Sequence, residues 1–199
     1  MCVGINPNEP TPGASGQNEA DSNADTCCLG INFVVLSYTN RVADVYPYND
    51  AYKPMTSVPI VTGATTYHHP NGQSYILVIN EALFYGTKLK HTLLNPNQIR
   101  HYGHGFWDNP YDKEQKLGIE AYDGNIELNI PMAYAGTKLS FTSTAPTNFE
   151  LNTLPHVELT SSEQWDPENV KLGINEITTM RTPRYIQNVS TMGRVQGFI

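Results

Sequence analysis

The chain has 199 residues, of which 39% are apolar and 16% charged, with a formal net charge of −7 and a pI near 5.3. This charge excludes the clustered Lys and Arg that phosphate backbones require, so direct nucleic-acid binding is not expected. The longest apolar run, 75–79, is far short of the roughly 20 residues of a membrane helix, which excludes a spanning helix.

The length suits one core domain with extensions. Polarity drawn from Asn, Thr, Ser, Gly and Tyr favours strands and turns over long solvated helices, which points to an all-β class. Cys2, Cys27 and Cys28 are odd in number and two are adjacent, so no disulfide framework is expected. With no basic and apolar leader pattern at the N-terminus, a soluble, cytoplasmic protein is expected.

Residues 1–19 are rich in Asn, Gly, Pro and Glu and lack apolar periodicity, the composition of a disordered arm. From Leu29 to Tyr46 the chain is rich in Val and aromatics, and Thr39-Asn40 reads as a tight turn between two strands. The segment 58–85 reads as a longer hairpin with Pro70-Asn71-Gly72 at its tip, Asn-Gly supplying the positive φ angles of a type I′ turn. Such a hairpin, with His69, Pro70, Asn71 and Gly72 at the tip, is expected to project over a cleft as a flap.

His91-Thr92-Leu93-Leu94 reads as a short apolar strand, and Asn95-Pro96 has the chemistry of a helix start, with Gly103 as its stop. Asp123-Gly124 marks a further hairpin within 117–143, and Thr147 with Glu150 forms a capping box before a short helix stopped by Pro155. The tail 167–199 is expected to be flexible. The domain reading is therefore an arm over 1–19, a core domain over 20–104, a β extension over 105–166, and a tail.

Three groups of residues offer chemistry that the pattern does not support. No CxxC or HExxH spacing accompanies Cys27-Cys28, which read as small buried residues. His101 and His104 flank a helix end and read as solvent-facing or capping, while His68 and His69 alternate to opposite faces of a strand. No metal site is expected. Trp107 and Trp165 read as aromatic anchors that pin turns against the core. The sequon at Asn188 is assigned no function.

The acidic loop Asp21-Ser22-Asn23-Ala24-Asp25-Thr26 is different. Asp followed by Ser or Thr occurs only at Asp21 and Asp25, within this one loop. The loop resembles the D-[ST]-G-A-[DS] catalytic loop of retropepsins, with Asn23 at the position of the usual Gly. The blocks 21–30, 42–48, 58–67, 75–86, 91–103 and 154–167 are together similar to copia-like LTR retrotransposon polyproteins around their aspartic protease.

This resemblance covers about residues 20–167. It implies a retropepsin-like closed β-barrel with a flap hairpin and one short helix, plus a small β extension and flexible termini. It further implies an aspartic endopeptidase acting on polyprotein peptides as a homodimer, with no cofactor, no nucleic acid and no membrane partner, in the cytoplasm or within virus-like particles. Asp21 would be the water-activating carboxylate, Ser22 a brace between the paired loops and Asn23 the third catalytic-loop position. Ala24, Asp25, Thr26, Leu93 and Leu94 would support the loop.

Two other readings compete with it. One is a catalytically inactive retroelement-derived remnant serving as a structural or peptide-binding β domain. The other is an unrelated β-rich binding domain, for example one holding carbohydrate in an aromatic-lined groove that the twelve tyrosines could furnish; tyrosines scattered across the sheet faces would argue against it.

Overall fold

The computed structural model describes residues 8–47 and 51–170. Twelve strands and two α-helices lie within them. The strands are β1 (Ser15–Ala20), β2 (Cys28–Leu29), β3 (Val34–Val45), β4 (Met55–His68), β5 (Ser74–Phe84), β6 (His91–Leu94), β7 (Gly105–Trp107), β8 (Gly118–Asp123), β9 (Ile126–Pro131), β10 (Ala133–Ala135), β11 (Lys138–Thr144) and β12 (His156–Glu158). The helices are α1 (Pro96–Tyr102) and α2 (Asn148–Thr153). The protein is thus mostly β, and among the described residues no helix is long and apolar enough to cross a membrane.

The principal sheet runs β10-β11-β1-β6-β2-β5-β4-β3, with β12 parallel to β5 and a further pairing of β11 to β4 at Thr144 and Thr66. A separate three-stranded sheet contains β7, β8 and β9. Its Ile119, Ala121, Leu128 and Ile130 join the same apolar core as Leu29, Phe33, Leu77, Ile79 and Leu94. The strand β11 returns to pair with β1 and carries β10 at its outer edge, so the expected boundary at residue 104 is not a structural break.

The expected disordered arm is corrected by β1. Its polar sequence, Ser-Gly-Gln-Asn-Glu-Ala, forms a strand antiparallel to β11 and parallel to β6. Composition misleads here because Asn18 is buried with partners: its amide nitrogen donates to Ser143 Oγ at 2.9 Å. Residues 1–7 and the tail from 171 onward, with the sequon, lie outside the described residues.

Asn18 belongs to a buried polar cluster between the strands. Asn32 Nδ2 donates to Asn18 Oδ1 at 2.9 Å and to Ser143 Oγ at 2.8 Å, while Thr92 Oγ1 donates to Asn32 Oδ1 at 2.8 Å. Thr65 joins through Ser143 at 2.6 Å, and Gly30 N–H donates to Thr92 Oγ1 at 2.9 Å. Gly16 has to be glycine, since a Cβ there would stand 2.8 Å from Asn32 Oδ1.

Because a satisfied buried network turns costly once one member is lost, Asn32→Leu is expected to destabilise the fold by about 3 kcal/mol. Urea denaturation checks this. A loss below about 1 kcal/mol would mean that the cluster contributes little.

Two turn expectations are also corrected. Thr39-Asn40 does not separate two strands, because Asn40 takes a left-handed φ of 63° inside a register shift and β3 continues along β4 to Val45. Thr39 Oγ1 donates to Ile60 O at 2.9 Å, holding the bulge on its neighbour. At the β4–β5 turn His68 pairs with Ser74, and within the loop Gly72 has a φ of 90° whereas Asn71 has no positive φ. The loop is therefore longer than a two-residue type I′ turn.

Elsewhere local chemistry forms what it should. Asn95 caps α1 by accepting from Asn97 N–H and Gln98 N–H, Pro96 occupies the first turn, and Gly103 ends the helix at a φ of 110°. Thr147 and Glu150 form both bonds of the capping box that opens α2.

Candidate functional site

The acidic loop leaves the end of β1 where that strand runs parallel to β6. Ala20 pairs with Leu94, and Asp21 N–H donates to Leu94 O at 2.9 Å. On its far side the loop enters β2, whose Cys28 pairs with Leu93. Asp21 therefore sits where β1 and β2 flank the end of β6, immediately before the N-cap of α1.

Side chains from the β6–α1 junction hold the loop from beneath. Asn95 Nδ2 donates to Ala24 O, Gln98 Oε1 accepts from Cys27 N–H at 2.9 Å, and Cys27 Sγ accepts from Asn95 N–H at 3.2 Å. Leu94 is 1% exposed and packs in the core, and Leu93 reaches the cavity above. Both leucines thus lie beside the loop that carries Asp21.

Within the loop, Asn23 N–H donates to Asp21 Oδ1 at 2.9 Å, which orients the carboxylate. Ser22, Asn23 and Asp25 are exposed, and Asp21, Ala24 and Thr26 are half-buried. Asn23 is not among the non-glycine residues with positive φ, so Asn in place of Gly imposes no backbone strain here.

Above the loop is a cavity of about 1010 Å³, lined by Asp21, Asn23, Ala24, Asp25 and Thr26 on the loop. Ala43, Asp44, Val45 and Tyr46 form another side, and Leu83, Tyr85, Leu89 and Leu93 supply apolar wall. The hairpin arm at this cavity is thus the end of β3, paired with β4. His69, Pro70, Asn71 and Gly72 lie at the opposite end of β4 and do not line it. The flap expectation for those four residues is corrected: the β4–β5 hairpin is built into the sheet, with β5 buried along most of its length and covered by β12.

Glu81 is a lining residue that the sequence did not single out. It is 5% exposed, has a φ of 53°, and its carboxylate pairs with Arg41 of β3. Gln98 Nε2 donates to Glu81 O at 3.1 Å, so the same residue contacts α1 and the hairpin arm. A strained backbone at a cleft would have been the signal, and φ is not written in a glutamate.

A second unforeseen element is the segment following β12. Trp165 Nε1–H donates to Asp25 O at 2.8 Å, its backbone N–H donates to Glu81 Oε2 at 3.2 Å, and its ring lies 5.5 Å from that of His101. Gln164, Trp165, Asp166, Pro167 and Glu168 consequently line the cavity. The aromatic anchor at Trp165 thus pins this strap against the acidic loop.

Burial pushes the Cys28 thiol up to about 12, and the Asp21 carboxylate adds to the shift. Cys27 is likewise pushed up to about 12, chiefly by burial. Neither thiol forms the thiolate a nucleophile needs at neutral pH. His104 is fully buried rather than solvent-facing, because its ring is bonded on both sides: Nδ1 accepts from Tyr122 N–H at 3.2 Å and Nε2 meets Glu158 O at 2.7 Å. Among the described residues no three His, Cys, Asp or Glu are grouped to hold a metal.

Comparisons with protein-family models, with curated proteins and with solved structures give no match. The functional reading rests on this chain's residues alone.

Proposed function

We propose that the chain is the aspartic protease region of a copia-like LTR retrotransposon polyprotein, an endopeptidase that works as a homodimer with Asp21 as its catalytic carboxylate. The observation that carries this reading is the seat of Asp21: a loop between β1 and β2, bonded to Leu94 O at the end of the parallel β1–β6 pair, opening on a large cleft. The ring of pairings β11-β1-β6-β2-β5-β4 and back to β11 supports a retropepsin-like closed barrel.

In this reading the β3–β4 hairpin is the flap. Leu36, Tyr38, Val42, Tyr46, Tyr52 and Met55 are exposed on or beside its arms, apolar surface that substrate and a second copy would cover. An extended peptide beneath it would bind as an added strand.

Two Asp21 carboxylates facing each other across the dimer share one proton, because like charges a few ångströms apart cannot both ionise. The ionised member takes a proton from water, and the protonated member donates to the peptide carbonyl oxygen as the tetrahedral centre forms. The Asn23 N–H bond to Oδ1 keeps one carboxylate oxygen fixed through this exchange.

The test is cleavage of peptides spanning the chain's own flanking sequence at mildly acidic pH. Sensitivity to a statine-type inhibitor and a rate rising with the square of protein concentration below the dimer Kd are expected. A folded dimer that cleaves nothing would identify the catalytically silent, peptide-binding remnant instead.

A further inference from the structure

The walls of the cavity carry charge of one sign. Six carboxylates line it, those of Asp21, Asp25, Asp44, Glu81, Asp166 and Glu168, and no Lys, Arg or His does so among the described residues. Arg41 neutralises Glu81. None of the other five forms an ion pair among the described residues.

These five come from three separate elements: the acidic loop, the hairpin arm and the strap. Asp44 is oriented by accepting from Ser57 N–H at 2.9 Å, and Asp166 by accepting from Glu168 and Asn169 N–H groups at 3.2 Å. Trp165, tied to Asp25 O and Glu81, holds the two strap carboxylates at the rim. Between the charges the wall is apolar, with Val45, Ile60, Leu83, Leu89 and Leu93 facing the space.

We propose that the cleft selects peptides bearing Lys or Arg beside an apolar segment, with Asp166 and Glu168 of the strap as specificity-determining residues. This deepens the peptidase reading and rests on its assignment of the cleft as a peptide site. A concave site lined by one sign of charge focuses its field and concentrates ligands of the opposite sign. The carboxylates are spread around the space and not grouped as metal ligands. Such a spread fits cations carried at intervals on an extended chain, and the apolar wall between them takes the intervening side chains.

The experiment uses the full chain with Asp21→Asn, so that bound peptide is not consumed. Three labelled peptides share one apolar core and carry Lys, Gln or Glu on its flanks; affinities are read by fluorescence anisotropy at low and high ionic strength. The Lys peptide is expected to bind about tenfold more tightly than the Gln peptide at low salt, with the gap closing at high salt. In the Asp166→Asn/Glu168→Gln protein, checked by thermal melting to be folded, most of that ratio is expected to disappear.

Equal binding of all three peptides overturns the charge selection and leaves the peptide site standing. A Lys preference that survives the double substitution unchanged overturns the role of the strap. A Lys preference in a protein whose wild type cleaves none of the peptides keeps the inference and removes the peptidase. No binding by any peptide removes both.

Discussion

Asp21→Asn is expected to lower peptide cleavage by about 10³-fold or more while the melting temperature stays near that of the wild type. Its carboxylate lies half-buried at a loop tip and its backbone N–H, not its side chain, makes the bond to Leu94 O, so the fold loses little. Mixing the variant with wild-type protein in equal amounts makes the sharper measurement. If two Asp21 side chains form one site, only wild-type pairs cleave, and random pairing leaves about a quarter of the starting activity. A site complete within one chain would retain about half, which would overturn the two-chain mechanism.

Acid is expected to destabilise the fold through His104. Burial lowers its pKa to about 4 from an ordinary 6.5, with the Glu158 carbonyl and the Asp123 charge opposing the shift. The folded ring is therefore neutral where the unfolded one binds a proton, so its contribution to stability is complete above 6.5 and is lost as pH falls from 6.5 towards 4. The loss amounts to about 3 kcal/mol, a large part of a typical domain's stability.

Glu150, whose pKa is lowered mainly by the Thr147 backbone bond, acts in a more acidic window, below its ordinary 4.5. Urea denaturation from pH 7 to 4 checks the His104 effect. In His104→Gln the slope of stability against pH is expected to fall by one proton's worth, and an unchanged slope would assign the acid sensitivity elsewhere. Peptidase assays at mildly acidic pH thus have a lower limit set by the fold.

Much of the local structure was legible because its causes are local. Asn95, Pro96 and Gly103 write the start and stop of α1, and Thr147 and Glu150 write the start of α2; the β8–β9 turn was legible but lies one residue later than expected, at Gly124-Asn125, with Asp123 still paired to Ile126. The same local reading failed where burial reversed it. The polar β1 looked like a linker because nothing in its sequence reveals Ser143 and Asn32 waiting to bond Asn18, residues more than a hundred positions and fourteen positions away.

The acidic loop and its apolar strand were also legible, Asp21 by its motif and Leu93-Leu94 by their run. Which hairpin stands over Asp21 was not. Both hairpins have the alternation and turn residues of paired strands, and register alone decides which one ends at the cavity.

By itself, then, the sequence determined most of the strands, the helix caps and a candidate carboxylate, because these depend on neighbours within a few residues. Only the tertiary structure decided that the end of β3, Glu81 and the Trp165 strap surround that carboxylate. Those contacts join residues 40 to 140 positions apart, through a bulge, a positive φ and an indole hydrogen bond that have no local signature.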